Sequence, residues 1–81
     1  MGKVNVVDVR TKEEFLSGHL EGSTNIPLNE MPEKIEEFKQ MSQPITLVCK
    51  SGYRSGEAVN YLKQFGIDCI SGGGWTNLIE E

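Results

Sequence analysis

Cysteine is scarce in this chain, with only Cys49 and Cys69, and His19 is the single histidine. A small secreted domain stapled by disulfides carries more thiols than this. There is no Cys-x-x-Cys, and one imidazole cannot complete a zinc set, so neither a metal nor another cofactor is expected. Positive charge is also scarce. Eight Lys and Arg face twelve Asp and Glu, the net charge is −4, and no basic cluster exceeds two residues. Nucleic-acid binding is therefore not expected. No apolar run approaches the ~20 residues that span a bilayer. A strand-like pattern begins by Val4, so no signal peptide is expected ahead of it. Val6 stands where a myristoylation signal following Met1-Gly2 requires Ser or Thr. These absences together point to the cytoplasm, where a working thiol stays reduced.

What is present suits one small soluble domain over residues 1–81. Apolar residues make up 37% and charged residues 25% of the chain, too apolar for disorder. A domain this short buries little more than ~60% of its unfolded surface, so modest stability is expected. Val4-Asn5-Val6-Val7-Asp8-Val9 reads as a buried strand. Thr11 and Glu14 form a capping-box pair that starts a short helix near Lys12, with Phe15 and Leu16 expected to pack on the sheet. Gly18 ends it, and Ser23-Thr24-Asn25-Ile26 is a short strand closed by Pro27. Pro32 suits the first turn of a second helix. Met31, Ile35, Phe38 and Met41 give that helix one apolar stripe, which reads as packing rather than a partner groove.

Ile45 to Cys49 is a third strand. A helix follows from Arg54 or Ser55 to Phe65, with Ala58, Val59, Leu62 and Phe65 inward and Gly66 as its left-handed stop. Ile67-Asp68-Cys69-Ile70 is the last strand, Gly72-Gly73-Gly74 a loop, and Trp75 to Ile79 a closing helical turn. Glu80 and Glu81 oppose the negative end of that turn and should fray. Alternation of strand and helix predicts a parallel α/β sheet of about four strands with helices on both faces. Ligands bind beyond the carboxyl ends of such strands. Asp8-Val9-Arg10, Cys49 with its loop, and the glycine run should gather there.

Cys49 closes an apolar strand and opens the stretch Cys49-Lys50-Ser51-Gly52-Tyr53-Arg54-Ser55 just ahead of a helix. Unpaired backbone N–H groups and the positive end of the helix dipole favour thiolate, the nucleophilic form. Lys50 and Arg54 add two cations.

Asp8-Val9-Arg10 with Glu14-Phe15, Gly18-His19-Leu20-Glu21-Gly22 and Asn25-Ile26-Pro27 resemble the first signature block of the rhodanese family of sulfurtransferases. The loop from Cys49 to Ser55 resembles that family's Cys-x-x-Gly-x-Arg-Ser active-site loop. Gly72-Gly73-Gly74-Trp75 is similar to its closing Gly-Gly-x-x-Trp region, with the tryptophan displaced or the register shifted. The blocks keep their order almost end to end. Rhodanese domains usually carry a further strand and helix before Asp-x-Arg, so the resemblance implies a minimal single-domain form. A sheet edge or face left open would make it a monomer with a weak dimer as an option.

The resemblance implies covalent sulfur transfer. Cys49 takes a sulfur from a small anionic donor such as thiosulfate, carries it as a persulfide, and yields it to cyanide, a cellular thiol or a thioredoxin-like acceptor. Gly52 lets the backbone curl around the sulfur. The N–H groups of residues 50–55 would converge on it as an anion nest. Ser51 and Ser55 would add hydrogen bonds, Lys50 would steer the donor, and Tyr53 would sit at the pocket rim. Arg54 would either contact substrate or brace the loop through an ion pair with Asp8; Asp8 itself would order the loop or Arg10. His19 is expected to be structural, Cys69 a buried thiol, and Trp75 either rim or core. Four residues separate Cys49 from Arg54. Phosphatases built on related folds have a loop one residue longer, which opposes phosphatase or arsenate-reductase chemistry. The remaining alternative is a rhodanese-fold binding or regulatory module, whose usual mark is a missing loop cysteine; here Cys49 is kept.

Overall fold

A computed structural model describes residues 5–78. The expectations placed on Met1, Gly2, Val4, Ile79, Glu80 and Glu81 lie outside that range. Four strands form one sheet, β1 (Asn5–Asp8), β2 (Thr24–Asn25), β3 (Ile45–Cys49) and β4 (Cys69–Gly74), in the order β2-β1-β3-β4. Every pairing is parallel. Three α-helices connect them, α1 (Lys12–Leu16), α2 (Ile35–Lys39) and α3 (Tyr53–Lys63). 3-10 helices cover Leu28–Lys34 and Trp75–Leu78.

β3 is buried at all five positions, which is why it reads as an unbroken apolar run. Its two faces meet different layers. Ile45, Leu47 and Cys49 face the main core with Val7, Val9, Ile26, Met31, Phe38, Ala58, Leu62, Ile67 and Cys69. The Met31–Phe38 stripe packs there as its spacing predicted, flanked by partly buried Ile35 and Met41. Asp8, Arg10, Thr46 and Val48 are buried on the opposite side of the alternation. That face is closed by the last 3-10 turn: a Cβ placed on Gly72 would touch Thr46, Val48 and Leu78. Arg10 lies beneath the Trp75 ring, 4.9 Å from its centroid.

Four local expectations are corrected. Leu16 is 67% exposed and no α1 residue is buried, because a five-residue helix turns away before a second apolar position can reach the sheet. Phe15 stacks on His19 instead. Pro32 lies inside the 3-10 helix that begins at Leu28; regular α-helix starts only at Ile35. Phe65 falls beyond the end of α3, is 41% exposed and meets the edge of Tyr61 rather than the core. The glycine run is strand rather than loop: Gly73 and Gly74 pair with Val48 and Cys49 after a register shift. The shift occurs between Leu47 and Val48, where Gly72 becomes the extra residue of a bulge.

The strand order matters for function. β1 connects outward to β2, and the chain then crosses back to β3 on the other side of β1. The carboxyl ends of β1 and β3 thus flank a topological switch point, where open α/β sheets bind ligands. Cys49 is the last residue of β3.

Candidate active site

The loop after Cys49 turns back on itself at once. Gly52 takes a left-handed conformation (φ 99°) as the N-cap of the eleven-residue helix α3. This reversal brings the Gly52 N–H to 2.9 Å from Cys49 Sγ and the Ser55 N–H to 3.4 Å, both donating to sulfur. The cradle is narrower than expected, since within residues 50–55 only these two N–H groups complete hydrogen bonds to the sulfur. Cys49 is 1% exposed. Burial alone pushes its thiol pKa up. The N–H dipoles of Ser55 and Gly52, aided by that of Ser51, which does not complete a hydrogen bond, outweigh that and hold it below the ordinary cysteine value. The Ser55 hydroxyl has its shortest contacts elsewhere, to Gly52 O at 3.0 Å and Ser71 Oγ at 2.8 Å, so the backbone donors carry more of the effect. Cys69 shows the opposite balance: buried, without N–H donors on its sulfur, it is pushed up.

Arg54 is not paired with Asp8. Its guanidinium grips Glu14 from both ends, Nη1 to Oε1 at 2.8 Å and Nη2 to Oε2 at 3.1 Å. Glu14 also accepts from the Thr11 backbone N–H in the capping box of α1. The sequence signals the capping role of Glu14 but hides its second one, because the carboxylate serves both through different lone pairs. Asp8 is occupied by Arg10, which donates to both its oxygens at 2.8 to 3.0 Å and also reaches Gly18 O. Asn25 ties that corner to β2 by donating to the carbonyls of Asp8 and Arg10, a bracing role that sequence reading missed.

The other loop residues separate clearly. Lys50 and Ser51 are exposed, and Lys50 forms none of the ion pairs among the described residues. Tyr53 is 75% exposed beside the loop. Trp75 does not rim Cys49: it is half-buried over Arg10, and its six-membered ring lies against Gly18. His19 has its Nδ1 2.8 Å from Phe15 O, within its own turn. A recess of about 270 Å³ lined by Val9, Thr11, Pro27, Leu28, Asn29 and Arg54 opens one strand away from Cys49. No group of three metal-ligating side chains occurs among the described residues. No helix there is long and apolar enough to cross a membrane.

The Glu14–Arg54 pair makes a pH prediction. Chiefly through its hydrogen bonds to Arg54, and then to the Thr11 N–H, the Glu14 carboxyl is lowered to about 2. A carboxylate whose folded pKa is depressed stabilises the fold above its unfolded value of ~4.3, and that contribution fades as pH falls toward the folded value. Both side chains remain about one third exposed. After solvent screening, Glu14→Gln is expected to lose roughly 1 kcal/mol at pH 7. The gap from wild type should close near pH 2. Urea unfolding at both pH values checks this, since Gln preserves the capping box. A pH-independent gap would mean that the ion pair is not its source.

The rhodanese-like domain family model matches residues 1–81. The chain is 30% identical over 69 residues to the thiosulfate sulfurtransferase PspE of Escherichia coli, covering 84% of this chain and 66% of PspE. It is 36% identical over 64 residues to YqhL of Bacillus subtilis, covering 79% of this chain and 50% of YqhL. It thus spans from one half to about two thirds of these curated relatives. A rhodanese-like domain protein from Staphylococcus aureus superposes with a TM-score of 0.87 at 33% identity, covering 100% of this chain and 79% of that one. With its parallel sheet, a Cys-x-x-Gly-x-Arg-Ser loop wrapped on the β3 carboxyl end and a match along its whole length, the chain belongs to the rhodanese-like domain family.

Proposed function

We propose that this domain is a sulfurtransferase that carries sulfane sulfur as a persulfide on Cys49. The observation that supports this most directly is the pair of N–H groups, Gly52 at 2.9 Å and Ser55 at 3.4 Å, aimed at a buried sulfur on the N-terminus of α3. They stabilise the thiolate before attack and negative charge on the persulfide afterwards, with no need for a histidine base.

In the first step the Cys49 thiolate attacks the outer sulfur of thiosulfate. A Cys49 S–S bond forms, the donor S–S bond breaks, and sulfite leaves with the electron pair. In the second step an acceptor nucleophile, cyanide or a thiol, attacks the outer sulfur of the persulfide. The Cys49 thiolate is regenerated and thiocyanate or a new persulfide departs. No net oxidation occurs, so neither a metal nor a redox cofactor enters the scheme. Ping-pong kinetics follow.

Lys50 is exposed beside the loop and draws the anionic donor in. Arg54, held by Glu14, braces the loop rather than meeting the donor as a free cation. A buried Cys49 inside a short loop suits a single incoming sulfur atom better than a tetrahedral phosphoryl group. Asp8 and Arg10 support the site by anchoring the end of β1 beside it.

The test is incubation with thiosulfate, following sulfite release and the intact mass, for wild type and Cys49→Ser. The expected result is a stoichiometric gain of one sulfur atom on wild type only, with turnover when cyanide or a thiol is supplied. A wild type that releases no sulfite and gains no mass would overturn the reading and leave a binding module.

A further inference from the structure

β4 reaches the active-site loop through a side chain as well as its backbone. Ser71 pairs with Leu47 across the sheet, on the face that also carries Cys49 two residues later. Its Oγ lies 2.8 Å from Ser55 Oγ, and the Gly73 N–H donates to it at 3.3 Å. Ser55 Oγ in turn donates to Gly52 O at 3.0 Å. Each hydroxyl has one proton to give. With the Ser55 proton directed to Gly52 O, the hydrogen between the two serines belongs to Ser71. The chain of donation therefore runs from the Gly73 N–H to Ser71, then Ser55, then the Gly52 carbonyl. Gly52 and Ser55 are the two residues whose N–H groups hold Cys49 Sγ.

We propose that Ser71 is a positioning residue for the sulfur cradle. It does not touch the sulfur. It ties Ser55, and through Ser55 the Gly52 peptide, to the rigid edge of β3 and β4, so that both N–H vectors stay on Sγ. Nothing in the spacing of the chain marks Ser71, because the contact depends on the pairing of β4 with β3, which sets Ser71 beside Leu47 and within reach of the start of α3. The proposal deepens the carrier role of Cys49 and is read on the thiol itself, independently of turnover.

Alkylation of Cys49 by iodoacetamide as a function of pH, located by peptide mass, tests it. In Ser71→Ala the midpoint is expected to rise by about half a unit, lowering the thiolate fraction about threefold at a pH below the midpoint. Ser71→Thr, which keeps the hydroxyl and suits a strand, should restore the wild-type profile. Added to Ser55→Ala, Ser71→Ala should shift nothing further, since the link it acts through is already cut. A Ser71→Ala protein that melts earlier but alkylates with the wild-type profile would reduce Ser71 to a structural residue and overturn the proposal. An undiminished shift in the Ser55→Ala background would overturn it too. Failure to release sulfite from thiosulfate would remove the transferase reading while leaving these alkylation profiles to be read.

Discussion

Replacing Asp8 with alanine is expected to cost roughly 3–5 kcal/mol, because it strands a buried guanidinium. Asp8 and Arg10 are both buried. The carboxylate takes the Arg10 backbone N–H, Nε and Nη2, while Nη2 also donates to Gly18 O. With the carboxylate gone, the Gly18 carbonyl and the Trp75 face are the partners left to a charge that water cannot reach. Small domains hold only ~0.05–0.15 kcal/mol per residue, so this loss takes a large share of the total. A domain of this size drops ~4–8 °C in Tm for each kcal/mol. Equilibrium urea unfolding with an unchanged slope should show the loss. A cost below about 1 kcal/mol would mean that Arg10 finds water or another acceptor in the variant. Asp8→Ala and Arg10→Met together should cost less than Asp8→Ala alone, because no charge is then left unpaired.

Gly52→Ala is expected to damage chemistry more than stability. Its φ of 99° costs an L-residue ~1–2 kcal/mol, and the new Cβ would lie 3.3 Å from Gly73 Cα. The loop already packs tightly on that same strand at a second point, since a Cβ on Gly74 would sit 2.7 Å from Lys50 O. Relief must come from rotating the Gly52 peptide, and that peptide carries the shorter N–H···S bond. Loss of one such donor costs ~100-fold or more in comparable sites, so sulfur transfer should fall by about that factor. The Cys49 alkylation midpoint should rise with it. Gly56→Ala serves as the control: it lies within α3, and a Cβ there meets nothing within 4 Å. That variant should gain ~0.5–1 kcal/mol of stability and keep its activity. Equal activity losses in the two variants would show that glycine is not needed at position 52 for the sulfur cradle.

Much of the local architecture is legible along the chain. The β-branched run ahead of Asp8, the Thr11–Glu14 capping box, the Met31–Phe38 stripe and the Cys49 strand end each depend on residues within one or two turns of each other. Their periodicity is therefore visible directly. The misplacements have tertiary causes. Leu16 and Phe65 carry apolar side chains at helical spacing, but each lies where its helix has already left the sheet. The residues at 72–74 have turn composition, yet they extend β4, because a strand beside Lys50 and the Gly52 turn has room only for glycine.

By itself the sequence determined that Cys49 ends a buried strand and meets a tight, glycine-turned helix start. That follows from local propensity and chain direction, and it already places the thiol where backbone N–H groups favour the thiolate form. Only the tertiary structure decided which groups hold it. Glu14 reaches Arg54 across forty positions and Ser71 reaches Ser55 across sixteen. Such partnerships depend on strand order and on which strands pair, which no pattern of neighbouring residues records.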